Sequence, residues 1–188
     1  GLLGMPADDG FVIVAQHPVH ANARIEKRYM RQTLDAVAAT GLPALVIWPN
    51  SDPGHSGIVE AIESPPAGLR AKVVRSMPHE HFLRAMLAAR AMIGNSSAGI
   101  IEAPAAGTPT VNIGPRQAGR LRDAATTFDC PYGRAAVARA IEQALRRKDR
   151  LRPGRRTPYG DGRAGERIAR AIAGLRVDER LLRKQNGY

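Results

Sequence analysis

Cysteine is almost absent: Cys130 stands alone among 188 residues. One thiol excludes an intrachain disulfide, and it reads as a small, partly buried apolar side chain. Aromatic residues are also scarce, at 4%, which leaves few platforms on which a single nucleic-acid strand could stack. No apolar run approaches the roughly 20 residues that a membrane span requires. The opening Gly1-Leu2-Leu3-Gly4-Met5 is too short for a signal peptide and lacks its basic leading segment. Without disulfides, a span or an export signal, the reading places the protein in the cytoplasm and away from membranes. The sequence opens on Gly1 rather than Met, and a missing upstream segment is expected.

Acidic residues are deficient in one part of the chain only. The net charge is +11, which invites a nucleic-acid reading. Residues 1–133 hold 12 basic and 11 acidic side chains, whereas residues 134–188 hold 16 and 6. The excess is therefore a property of the tail, and it is mostly arginine. With so few aromatics it argues against nucleic acid. It suits a solvated helical face, or a surface that meets an acidic partner or another domain. The remaining composition, 44% hydrophobic and 24% charged, is that of one globular domain with a sizeable core.

Hydrophobic periodicity gives an alternating pattern. Phe11–Gln16, Ala44–Trp48, Ala71–Val74, Ala91–Ile93 and Thr110–Asn112 read as strands. Between them lie helices: one with its apolar face from Ile25 to Ala38 and stopped by Gly41 and Pro43, then Ser56–Glu63, His79–Ala88 and Ser97–Ala106. Strands alternating with helices imply βαβ units and a parallel sheet. Continuous apolar strands mean that both sheet faces are covered. Beyond Asp123 the signals weaken. Ala135–Arg147 and Arg163–Leu175 read as helices joined by an Arg/Pro/Gly-rich connector over 148–160, and Asp178–Gln185 is short and charged. The fold class is α/β, a Rossmann-like parallel sheet flanked by helices. Residues 1–160 form that domain and 161–188 a helical tail.

Ligands of such sheets bind beyond the carboxyl ends of the strands. His17, Asn50, Met77, Gly94-Asn95-Ser96-Ser97 and Gly114-Pro115-Arg116 all follow strands. Small residues in Gly94–Ser97 let a ligand approach the backbone, and free N–H groups and the Ser96 and Ser97 hydroxyls suit a phosphate. Ordinary N-capping demands the same residues. Glu102 lies in an otherwise apolar stretch that Pro104 shortens or kinks. An acid there is either exposed or partnered, and a carboxylate can accept from two ribose hydroxyls. Arg116 and Arg120 in a Gly-rich loop read as anion binders or as plain surface. His17 can bond phosphate or move a proton near neutral pH, although a lone loop histidine often does neither. His20, His55, His79 and His81 show no metal-ligand spacing, so no metal and no cofactor are expected. The G-x-S-x-G elbow and the Walker-type phosphate loop are absent.

The ordered set His17-Pro18-Val19, Trp48–Asp52, Ile93–Ser97, Ile101-Glu102, Gly107–Gly114, Arg116–Arg120 and Tyr159–Gly162 resembles the C-terminal half of UDP-N-acetylglucosamine 2-epimerases, most of all the hydrolysing branch that makes N-acetylmannosamine for sialic-acid-type sugars. The resemblance runs from about Phe11 to Ala173. It implies the C-terminal domain of a GT-B fold, with UDP-N-acetylglucosamine or a related UDP-sugar as partner. It implies further that the active site closes against a missing N-terminal domain, toward which the tail would pack, and that the complete protein is a homo-oligomer. By matching position, Asn50 and the backbone at Met77 lie near the nucleotide, Ser96 and Ser97 hold the diphosphate, Glu102 takes the ribose hydroxyls and Arg116 faces the diphosphate. His17 becomes the candidate catalytic participant. The family's sugar-handling carboxylates belong to the first domain, so the chain alone is expected to be inactive. Two alternatives stay open: the nucleotide-binding half of a GT-B glycosyltransferase, and a non-catalytic basic binding protein.

Overall fold

The computed structural model describes residues 10–183. The opening Gly1–Met5 and the last two residues of the charged Asp178–Gln185 stretch lie outside it. Contacts divide the chain into two units, 1–158 and 159–188.

The first unit is built on six strands: β1 (Val12–Ala15), β2 (Ala44–Ile47), β3 (Ala71–Val74), β4 (Ala91–Gly94), β5 (Thr110–Ile113) and β6 (Thr127–Cys130). All neighbours are parallel, in the order β3-β2-β1-β4-β5-β6. That is the doubly wound Rossmann order, in which the chain reverses its direction of travel across the sheet between β1 and β4 and leaves a crevice above their carboxyl ends.

Helices α1 (Ala23–Ala38), α2 (His55–Glu63) and α5 (Arg134–Lys148) cover one face. The core there joins Val12, Val14 and Val46 to Met30, Leu34, Ile58, Val137 and Ile141. α3 (His79–Ala88), with Ala103 and Ala106, covers the other face against Ile13, Leu45 and Met92. α1 begins where the Asn22 side chain accepts from the Arg24 and Ile25 amides at 3.0 and 3.3 Å, two donors that the first helical turn cannot satisfy by itself. The last turn of α5 carries Arg146, Arg147 and Lys148, cations placed where the helix dipole is negative.

The architecture agrees with the α/β reading, with three corrections. The fourth helix, α4, spans only Ala98–Ile101 rather than Ser97–Ala106. Pro104 lacks the amide that would continue it and disfavours helical backbone at Ala103; the chain turns instead, with the Thr108 amide bonding the Ala103 carbonyl at 2.9 Å. Second, the chain forms a sixth strand, β6, where the sequence shows no strand signal. It is a four-residue edge strand containing an exposed Asp129, too short and too polar to show a period. Third, coverage of both faces holds for β1, β4 and β5 but not for the edge strands, since Ala71, Lys72 and Val73 of β3 are exposed.

The second unit contains α6 (Ala164–Ala173) and α7 (Glu179–Leu182). Asp161 receives both terminal nitrogens of Arg167, at 2.8 and 2.7 Å. Asp178 caps α7 by accepting from the Leu181 amide at 2.9 Å. Ile168, Ile172 and Leu175 form an apolar set that is exposed, and so are Leu181 and Leu182. Among the described residues no helix is long and apolar enough to cross a membrane.

Candidate functional site

The crevice between β1 and β4 is closed at its floor by Gly94. Its φ is +136°, and a Cβ there would sit 2.1 Å from the Ala15 carbonyl oxygen. Only glycine permits both that backbone angle and that approach of the two strand ends. The chain segments leaving them are then held together by one side chain. Asn95, fully buried, accepts from the His17 amide through Oδ1 at 2.7 Å and donates from Nδ2 to the His17 carbonyl at 2.8 Å. The pairing of β1 with β4 thus continues past the strands, with an amide side chain standing in for backbone.

The Asn95 carbonyl is the next tie. It accepts from Arg116 Nη1 at 3.1 Å and from Gln117 Nε2 at 2.8 Å. Gln117 is buried, so the loop after β5 is anchored over the loop after β4. From the other side, the Asn50 amide donates to His17 Nδ1 at 3.1 Å. The Asn50 side chain turns away to Asp52, bonding Oδ2 at 2.6 Å. His17, Asn50, Arg116 and the Ser96-Ser97 pair that follows Asn95 are therefore brought to one place.

The His17 imidazole is held well below its ordinary range, at about 4, by burial first and by the Arg116 charge second, with Asp52 opposing. It is neutral at neutral pH. The loop that carries it is latched by Glu26. This carboxylate is fully buried, and its Oε1 accepts from the Val19 amide at 2.9 Å, the His20 amide at 2.8 Å and His20 Nδ1 at 2.9 Å. Beyond the latch, Tyr29 stacks on Tyr132 with ring centroids 3.7 Å apart. Tyr132 lies so close to Gly114 that a Cβ would come within 2.5 Å of its ring. Burial, then the charge of Glu26, push the Tyr132 phenol up to about 12.

Glu102 and Met77 stand on the α3 side of the crevice. Glu102 caps the end of α4, half-exposed rather than inside a helix, and its Oε2 lies 3.2 Å from His79 Nε2. Met77 packs its side chain against the core beneath α3. Among the described residues no hydrogen bond or ion pair joins these two to the His17 cluster. The sequence names Asn95 within the Gly94–Ser97 loop and Gln117 within Arg116–Arg120 without a role for either side chain, and it singles out neither Glu26 nor Tyr132. Glu26 shows there only as an acid within the first turn of an amphipathic helix, and a buried amide such as Asn95 looks in sequence like any helix cap.

A groove lined by Ala124, Phe128, Gln143, Arg146, Arg147 and Arg150 opens elsewhere, between β6 and the end of α5. Ala124 precedes β6, so this groove lies toward the amino ends of the strands, opposite the crevice. Among the described residues no three His, Cys, Asp or Glu side chains gather as a metal site. Cys130 is a thiol at neutral pH, pushed up to about 11 by burial and then by Asp129.

Known proteins with this architecture carry the comparison further. Among solved structures, a UDP-GlcNAc 2-epimerase from Neisseria meningitidis bound to UDP-GlcNAc superposes with a TM-score of 0.67 at 15% identity, over 89% of this chain and 46% of that one. The UDP-GlcNAc 2-epimerase of Methanocaldococcus jannaschii gives 0.66 at 13% identity, over 92% and 47%. At such identities these matches show the fold, a Rossmann-like half of a GT-B-type molecule. In sequence, the chain is 28% identical to a hydrolysing UDP-N,N'-diacetylbacillosamine 2-epimerase of Legionella pneumophila, over 98% of this chain and 48% of that protein. It is 33% identical to a UDP-N-acetylglucosamine 2-epimerase of Neisseria meningitidis, over 62% and 30%. The chain thus spans about half the length of the first of these relatives, and the second aligns over less. The family model described as UDP-N-acetylglucosamine 2-epimerase matches residues 3–173, and the chain belongs to that family.

Proposed function

We propose that this chain forms the UDP-binding wall of a hydrolysing UDP-N-acetylglucosamine 2-epimerase. The observation that carries the reading is the convergence of His17, the Asn95-Ser96-Ser97 segment and Arg116 above the carboxyl ends of β1, β4 and β5. Two hydroxyls, an imidazole and one guanidinium gathered at the strand ends suit a diphosphate. On this reading Ser96, Ser97 and Arg116 hold the diphosphate, Glu102 exchanges His79 for the ribose hydroxyls, and Asn50 and the Met77 backbone lie along the nucleotide. The hydrolysing sense is supported by the Legionella relative.

The reaction would be anti elimination of UDP to a 2-acetamidoglucal, then addition of water at C1 with inversion at C2. Elimination leaves negative charge on the β-phosphate oxygen. Fixed donors already in place stabilise that charge without reorganising. Removal of the C2 proton needs a base on the opposite side of the sugar. The neutral His17, facing the phosphate side, is not that base. The base is assigned to a separate N-terminal domain, toward which residues 161–188 would pack. The chain by itself then binds UDP without turnover.

Calorimetry tests this. UDP is expected to bind and uridine to bind more weakly. Glu102→Gln should weaken UDP by about tenfold, roughly 1.4 kcal/mol, and leave inorganic diphosphate unchanged. No heat with UDP at millimolar concentration overturns the reading; equal loss for UDP and diphosphate overturns the ribose role.

A further inference from the structure

The geometry assigns Asn95 as the positioning residue that presents His17 to the ligand as a neutral imidazole with its proton on Nε2, a hydrogen-bond donor and not a base. Three observations support this. Asn95 grips His17 at both backbone groups, at 2.7 and 2.8 Å, which fixes the main chain from which the imidazole projects. The Asn50 backbone amide donates to Nδ1 at 3.1 Å. A backbone N–H can only donate, so Nδ1 must accept and the single proton of the neutral ring sits on Nε2. The third is the second grip of Asn95: its carbonyl holds Arg116 and Gln117 at 3.1 and 2.8 Å. One buried residue therefore holds both the backbone that carries an Nε2–H donor and a guanidinium, two groups that can each meet an oxygen of a diphosphate.

The arrangement has a chemical consequence. A second proton on His17 would have to displace the Asn50 amide from Nδ1, next to the Arg116 charge. His17 therefore meets the departing phosphate oxygen as a dipole. It stabilises the developing charge through a hydrogen bond without forming an ion pair that would retain the product. Burial and the Arg116 charge, which hold the imidazole far below its ordinary range, act in the same sense.

This assignment rests on the nucleotide-binding reading only for the identity of the anion, and its test separates the two. Nitrogen-15 NMR of the ligand-free chain reads the His17 tautomer and titration directly. The expected result is the Nε2-protonated neutral ring throughout pH 5.5–8. A proton on Nδ1, or an ordinary titration near pH 6.5, overturns the assignment. Asn95→Ala should move the His17 titration upward by at least one pH unit and weaken UDP at least tenfold. In a chain already carrying His17→Ala and Arg116→Ala, the same substitution should change UDP affinity less than twofold. A purely structural Asn95 would lower stability while leaving the His17 titration where it was, and that result overturns the proposal. Should Asn95→Ala fail to fold, the wild-type tautomer and titration still decide. Should the wild-type chain bind no UDP, the nucleotide reading falls while the NMR measurement judges the positioning role independently.

Discussion

The two ends of the same sheet handle buried polar groups in opposite ways. At the amino ends, charge is consumed. Asp123, nearly buried, pairs with Arg155 and also accepts from the Ala125 amide at 3.0 Å. Lys148 donates to the Leu87 and Gly107 carbonyls at 3.4 and 3.3 Å, and Arg147 to the Ala125 carbonyl at 3.2 Å. Arg90 meets Asp149 at 3.0 Å. At the carboxyl ends, the buried Glu26 carboxylate is spent on the Val19 and His20 amides and on the His20 ring, the groups that hold His17 and Arg116 are the neutral amides Asn95 and Gln117, and no carboxylate pairs with Arg116 among the described residues. Cations whose donors are spent on carbonyls fasten loops. Donors fixed by neutral amides keep their field for something from outside. The comparison separates structural from functional polarity better than net charge does, because the most basic part of the chain is not where the candidate site lies.

The largest expected effect sharpens the carboxyl-end half of this contrast. Gly94→Ala forces a Cβ into the Ala15 carbonyl, whereas Gly119→Ala, at a φ of +77°, meets nothing within 4 Å. Urea unfolding should show a loss of roughly 3–5 kcal/mol for the first and about 1 kcal/mol for the second. Equal losses would mean that β1 and β4 do not converge at the crevice floor.

Next in size is Asp123→Ala at the amino end. It strands Arg155 and removes the partner of the Ala125 amide. Because Arg155 is partly exposed, the cost should be about 2–3 kcal/mol, below that of a fully buried pair. UDP affinity should stay within twofold. A large loss of affinity without loss of stability would break the division between the two ends.

The effect spread over the widest range of conditions is a pH dependence. His17 is lowered from 6.5 to about 4 in the folded chain. As pH falls from 6.5, the unfolded chain takes the proton first, so stability is lost between those values and changes no further below them. On acidification through that window wild type should therefore lose stability relative to His17→Gln. Parallel curves would show that folding does not hold the ring neutral.

The sequence alone determined the alternation of strands and helices, the parallel sheet and the positions that follow its strands. Each of those rests on local information: runs of β-branched residues, a helical period, and glycine or proline at the stops. It also marked Ser96, Ser97, Arg116 and His17 as candidates, because strand ends are where such sheets bind ligands. β6 escaped because a polar four-residue edge strand has too few residues to show a period, and it exists only through the β5 main chain that it pairs with. The tertiary structure alone decided that Asn95 would reach across 78 residues of sequence to grip His17, and that Glu26 would be buried to latch a loop. A hydrogen bond between distant segments leaves no period and no composition signal. It forms because β1 and β4, far apart in the chain, become neighbours only when the hydrophobic core closes around them.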